Sequence, residues 1–164
     1  PDCRHQPQPE QRAVAGMIRT LLTGLPVMLL CMLLQVLFVI LCLRRYVEFR
    51  ETHPNPGLLQ EVGILSAVML LALVGNCLQM SIWAALFLLL GEFSDYQTAL
   101  YHSAVNFVTL GYGDLVMSQR WRMLGPIEGA NGILMFGLST ALMTATSIDL
   151  LKRRPVVRKL LEDR

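Results

Sequence analysis

Two stretches of this chain run without a charged residue for longer than an ordinary soluble helix allows: Leu21 to Leu43, 23 residues, and Val62 to Gly91, 30 residues. At about 1.5 Å of rise per residue, the first makes a helix of about 35 Å, enough to cross a hydrocarbon core of about 30 Å. The second exceeds one crossing, so it is expected to tilt or to extend past one surface. A third stretch, Ile127 to Ile148, is broken only by Glu128 and Asn131 near its start. Charged residues make up 16% of the chain, against about 25% in an ordinary soluble domain. The expected fold class is an all-α membrane protein with three transmembrane helices.

The same composition excludes several kinds of function. A net charge of +2 with no basic stripe interleaved with aromatics argues against a nucleic-acid partner. The 4 cysteines show no Cys-x-x-Cys pairing, and Cys31, Cys42 and Cys77 lie inside apolar runs, where thiols act as small hydrophobes. Phosphate-loop, zinc-helix and nucleophile-turn signatures are absent from the sequence, so no enzyme activity and no cofactor are expected. The chain opens on Pro1 rather than methionine, so it is expected to derive from a longer or trimmed product.

The organisation expected along the chain is a polar tail over 1–20, a first transmembrane helix over 21–43, a cytoplasmic loop over 44–61, a unit over 62–150, and a basic cytoplasmic tail over 151–164. Pro26 is expected to start or kink the first helix, and Gln35 to need a polar partner inside the bundle. Asn76 and Gln79 share one face of the second helix and are expected to hydrogen-bond to a neighbour. The connector 44–61 and the tail 152–164 hold nine of the Lys and Arg residues, which places them inside, with the N-terminus and 92–126 outside. Lys152, Arg153, Arg154, Arg158 and Lys159 are expected to adhere to anionic lipid. No helix carries arginine at three-residue spacing through its middle, which argues against voltage sensing.

Between the outer helix (62–91) and the inner helix (127–150) lie about 35 residues of another character. Ser94, with Gln97 three residues on, reads as a helix cap, and a helix over 95–108 would be about 21 Å long, too short to cross. A re-entrant helix that returns as extended chain fits this length. It returns through Thr109-Leu110-Gly111-Tyr112-Gly113-Asp114. Backbone that is neither helix nor closed barrel is tolerated at membrane depth only where it is buried in protein or lines water. Glycines at 111 and 113 can take positive φ without a Cβ clash, so successive carbonyls can face one side. Four such columns around one axis would make cages of carbonyl dipoles able to replace the water shell of a monovalent cation.

Thr109 to Asp114 resembles the signature of the potassium channel family, whose usual form is Thr-Val-Gly-Tyr-Gly-Asp. The order helix, short helix, filter, helix over 62–150 is similar to that family's two-helix pore, here preceded by one extra helix as in small bacterial members. The resemblance implies a potassium-selective channel, a homotetramer in the plasma or inner membrane, with K+ as the permeant ion. It assigns Thr109, Leu110, Gly111, Tyr112 and Gly113 to the ion-coordinating filter, with K+ held at Thr109, Leu110, Gly111 and Tyr112. Tyr112 would pack behind the filter, and Asp114 would stand at its mouth. Leu110 departs from the usual valine, and Val105 stands where the family often has a glutamate paired with the filter aspartate. Asp114 therefore needs another donor, with Trp121, Arg122 or His102 near in sequence.

Glu128, His102 and Trp121 are expected to support the filter, Glu128 through the back of the filter or through Arg122. Gly132 and Gly137 stand near the place where inner helices of the family bend, so each is either a hinge or a close-packing position. His102 reads as a satisfied pore-helix histidine or a proton sensor. Asp149 is expected to pair with Lys152 rather than face the conduction path. Membrane lipids, anionic ones included, are expected partners, and a separate regulatory subunit is left open. Two alternatives stand beside potassium conduction: a less selective cation channel, and a non-conducting structural or regulatory membrane subunit.

Overall fold

The computed structural model describes residues 9–53 and 56–153. In chain order it has helices α1 (Pro9–Thr52), α2 (Leu58–Leu89), α3 (Tyr96–Phe107) and α4 (Leu124–Arg153), with no strand among the described residues. Among the described residues, three segments are long and apolar enough to cross a membrane: Val14–Thr52, Leu58–Leu89 and Leu124–Lys152. The chain is a membrane protein, all-helical among the described residues.

The ends of the first helix differ from expectation. Residues 9–20, expected as tail, and 44–52, expected as loop, are both part of the 44-residue α1, about 66 Å long. Charge disqualifies a segment from the hydrocarbon core but not from the helix. Pro9 sits at the helix start, where its missing N–H costs nothing, and Glu, Gln, Arg and Ala that follow are good helix formers. At the other end Arg45 Nη1 lies 3.1 Å from Glu48 Oε2 one turn on, and Tyr46 is buried. Pro26 is accommodated inside α1. Residues 1–8 of the expected tail, 54–55 of the expected loop and 154–164 of the expected basic tail lie outside the described residues, including Arg154, Arg158 and Lys159.

The described residues divide into two compact units, 9–31 with 80–133, and 32–53 and 56–79 with 134–153. In the second unit the polar residues of the spans find one another. Gln35 on α1 donates from Nε2 to Ser139 Oγ on α4 at 2.9 Å and accepts on Oε1 from Gln79 Nε2 on α2 at 2.7 Å. Gln35 and Gln79 are both buried, so this relay ties three helices through bonds that lipid cannot replace. The ring of Phe38 lies against Gly75, where a Cβ would stand 3.3 Å from it, so the glycine lets α1 and α2 approach. Cys42, Val68 and Leu142 form an apolar cluster beside these contacts. Asp149, expected to pair with Lys152, instead accepts from Tyr46 Oη at 2.7 Å and lies 3.6 Å from Arg50 Nη1. Both partners come from the part of α1 that runs on past the charge-free stretch 21–43.

Gln35→Ala is expected to lower stability by about 1–2 kcal/mol, because Ser139 and Gln79 both lose their shared partner. Thermal unfolding in detergent, followed by circular dichroism, checks this against the native chain.

Candidate ion-conduction site

The first unit holds α3 and the loop that follows it. Asp95, not Ser94, caps α3: its Oδ1 accepts from the Thr98 N–H at 2.8 Å with its own backbone extended at φ −137° and ψ 153°. Asp95 is one residue closer to the first helical turn, and its carboxylate is the stronger acceptor for N–H groups at the positive end of the helix. At 12 residues α3 is about 18 Å long, too short to cross a membrane. It ends where the Val108 N–H bonds to the Ala104 carbonyl at 3.1 Å.

The chain after α3 is anchored by its own donors. Thr109 N–H donates to the Asn106 carbonyl at 2.9 Å, and the N–H groups of Leu110 and Gly111 both donate to the Val105 carbonyl, at 2.9 and 3.3 Å. Positive φ then falls at every second residue: Thr109 (61°), Gly111 (57°) and Gly113 (74°). For the glycines this costs little. For β-branched Thr109 the left-handed conformation costs on the order of 1–3 kcal/mol, so the surrounding contacts must hold it. Its Cγ2 reaches the position a Cβ on Gly129 would occupy to within 3.8 Å. The alternation lets neighbouring carbonyls point to one side of the chain, as the spacing of the two glycines implies. The third such position, at Thr109, carries no sequence signal.

The large side chains of this segment have little cover from their own chain. Leu110 is 56% exposed and Tyr112 68% exposed. Asp114 Oδ2 accepts from Tyr101 Oη at 2.8 Å, so its donor is none of the three nearest in sequence but a residue two turns before the end of α3. The Tyr101 hydroxyl holds the Asp114 carboxyl below the usual carboxylate range, and the same bond pushes the Tyr101 phenol up. Trp121 is buried in the turn before α4 with Arg120 over its ring at 5.1 Å. Its backbone N–H donates to the Ser118 carbonyl at 3.0 Å, and Glu92 clamps that residue, accepting from Ser118 N–H at 2.6 Å and from Oγ at 2.8 Å.

His102 is buried, with both ring nitrogens engaged. Nδ1 lies 3.1 Å from the Leu115 carbonyl, and Nε2 lies 2.9 Å from Asn106 Nδ2. A carbonyl can only accept and this amide nitrogen can only donate, so the ring is neutral with its proton on Nδ1. Phe87 and Phe93 pack on it, with ring centroids 5.5 and 4.8 Å away. Burial pushes the imidazole below its ordinary value of 6.5, against the opposing fields of Asp114 and Glu92.

Behind α3 stands α4. Glu128 is fully buried, and its Oε1 lies 2.5 Å from Ser103 Oγ, which is also 2.8 Å from the Met80 carbonyl of α2. One hydroxyl proton cannot serve two acceptors. A Glu128 that carries a proton of its own completes the chain, donating to Ser103 while Ser103 donates to Met80. Glu128 thus bonds to the helix that carries the filter-like loop, and Arg122 is not its partner. Gly132 presses on the end of α3: a Cβ there would overlap the Phe107 carbonyl oxygen and stand 2.8 Å from its carbon. Gly129 faces the Asn106 carbonyl at 3.3 Å and Gly125 the Asn106 amide at 3.4 Å, measured from the same imagined Cβ. Gly137 has open space around it. Close packing therefore accounts for Gly132, and leaves Gly137 as the hinge candidate. The spacing of Gly125, Gly129 and Gly132, four and then three residues apart, marks one helix face and is the signal that could have found the first two.

A family model described as an ion channel matches residues 64–148, just over half of the chain. This chain belongs to the ion channel family. The match takes in α3, the loop after it, and most of α2 and α4, which are the parts just described. Comparison with curated proteins and with solved structures gives no match. The extra helix α1 lies outside the matched region.

In this channel Gly132→Ala is expected to cost about 3 kcal/mol, the upper end for overpacking, because the obstruction is backbone. Gly137→Ala should leave stability within about 0.5 kcal/mol, and the melting temperatures of the two variants check the contrast. The neutral His102 sets a pH dependence as well. Its folded-state value lies below 6.5, so between the two the unfolded chain binds the proton first, and stability falls as pH drops below 6.5. His102→Asn should flatten that part of the profile, measured as melting temperature against pH.

Proposed function

We propose that the channel conducts potassium selectively and passively through a homotetrameric pore, each chain supplying one quarter of the filter. The observation that carries this reading is the run of positive φ at Thr109, Gly111 and Gly113. A backbone that turns left-handed at alternate residues can present the carbonyls of Thr109, Leu110, Gly111 and Tyr112 to a single axis, which is how a dehydrated monovalent cation is held. The exposed flanks of Leu110 and Tyr112 support the tetramer, since large apolar surface of this kind asks for a neighbouring copy to cover it. In the tetramer Tyr112 packs behind the filter, and Asp114, one per chain, gathers cations at the mouth. α3 enters the membrane part way as the pore helix and turns its carbonyl end toward the cavity. Glu128, His102 and Trp121 support the filter through α3 and the turn before α4. The permeant ion is K+, with Gly137 the point about which α4 bends. The C-terminus lies in the cytoplasm.

Reconstituted in vesicles, the purified chain should pass K+, show a reversal potential set by the K+ gradient in mixed K+ and Na+, and be blocked by Ba2+. Gly113→Ala, which forces a Cβ into a left-handed position, should lower the K+ flux at least tenfold with helix content unchanged. Reversal potentials indifferent to K+ over Na+ would instead indicate the less selective channel, and no flux at all would sink both.

A further inference from the structure

Gln79 on α2 finds its partner in Gln35, but Asn76, one turn earlier on the same face, leaves an acceptor over. Asn76 is 3% exposed, and its Oδ1 meets no donor among the described residues. It stands near the middle of α2, where a bilayer offers no water, and an amide carbonyl left unpaired there is costly. Asn76 lines a cleft of about 560 Å³ between α2 and α4, wholly within the second unit. That volume falls within the range of about 300–1,000 Å³ usual for small-molecule pockets. Ser139 of α4 lines the same cleft, but its hydroxyl proton goes to the Met135 carbonyl at 2.9 Å, so it has none to give Asn76.

The rest of the lining narrows the choice of ligand. No charged side chain lines the cleft, so an ionised ligand would be buried without a counter-charge. Met69, Met143 and Phe136 supply two thioethers and a ring, groups that favour the edge and face of an aromatic molecule. Asn76 Oδ1 adds one acceptor and asks for one donor. An acyl chain fills apolar space but brings no donor, whereas a flat ring with an N–H or O–H meets both needs at once. We propose that this cleft binds an uncharged aromatic molecule of the indole or phenol class, its ring among Met69, Phe136 and Met143 and its N–H or O–H donating to Asn76 Oδ1. Phe136 directly precedes Gly137, so such a ligand touches α4 beside the point about which that helix was proposed to bend. The binding itself rests on the cleft alone and not on the proposed conduction.

The test is fluorine NMR titration of the full chain in a neutral detergent with two probes, 5-fluoroindole and 5-fluoro-1-methylindole, which differ in the one donor. Saturable binding of 5-fluoroindole, about tenfold tighter than that of the methylated probe, is expected. Asn76→Leu, close to the same size but without the acceptor, should weaken 5-fluoroindole about tenfold and leave the methylated probe unchanged, so that the two bind alike. Ala72→Phe, which puts a ring into the cleft, should abolish saturable binding of both. If Asn76→Leu fails to fold, as circular dichroism would show, the contrast between the two probes on the native chain still decides. Equal affinity of the two probes for the native chain, or saturable binding that survives Ala72→Phe, would overturn the assignment. So would unsaturable partitioning alone, the result expected if an acyl chain or a second copy of the chain fills the cleft instead. None of these readouts depends on whether the pore passes K+.

Discussion

The contact on which the first unit depends is backbone against backbone: the carbonyl end of α3 seated on the glycine face of α4. Gly129 and Gly132 put no side chain of their own against the Asn106 and Phe107 carbonyls, and Gly125 does the same beside the Asn106 amide. Hydrocarbon gives no hydrophobic drive for two helices to meet, so close approach and the hydrogen bonds it permits must supply the attraction. Once α3 is seated, its last turn offers the Val105 and Asn106 carbonyls that anchor Thr109 to Gly111, and the strained Thr109 has a neighbour in Gly129. The Glu128 to Ser103 to Met80 chain lies one turn earlier on α4 and fixes the same pair of helices to α2.

The parts of the fold legible in the sequence are those that depend on one property summed over many residues. Charge-free runs reveal spans because the cost of a charge in hydrocarbon acts on every residue of the run. The ends of α1 were not legible by that measure, since Pro9 to Thr20 and Arg44 to Thr52 follow helix propensity, to which charge is nearly indifferent. The glycines at 111 and 113 announced their own conformation. Thr109 did not, because the neighbour its side chain meets, Gly129 of α4, is reached only once the fold exists.

Partners across the fold were harder still. Asp114 has Trp121, Arg122 and His102 close in number, yet its donor is Tyr101, which α3 brings back across the loop. Asp149 has Lys152 one turn away and takes Tyr46 and Arg50 instead, residues whose membership in a helix the charge pattern concealed. In both cases sequence distance was a poor guide because helices put residues a turn or a hundred positions apart at equal range. Gln35, by contrast, announced the need for a partner, and the bundle answered it with Ser139 and Gln79, two more polar residues of the spans.

The bond from Tyr46 to Asp149 has a mechanical side. It joins α1 to the last turns of α4 with a hydroxyl on a carboxylate, 2.7 Å apart, and Arg50 adds its charge to the same oxygen. Any sideways swing of that end of α4 must either drag α1 with it or let go of both groups together. The first helix thus works as ballast on the last, slowing whatever movement that end makes.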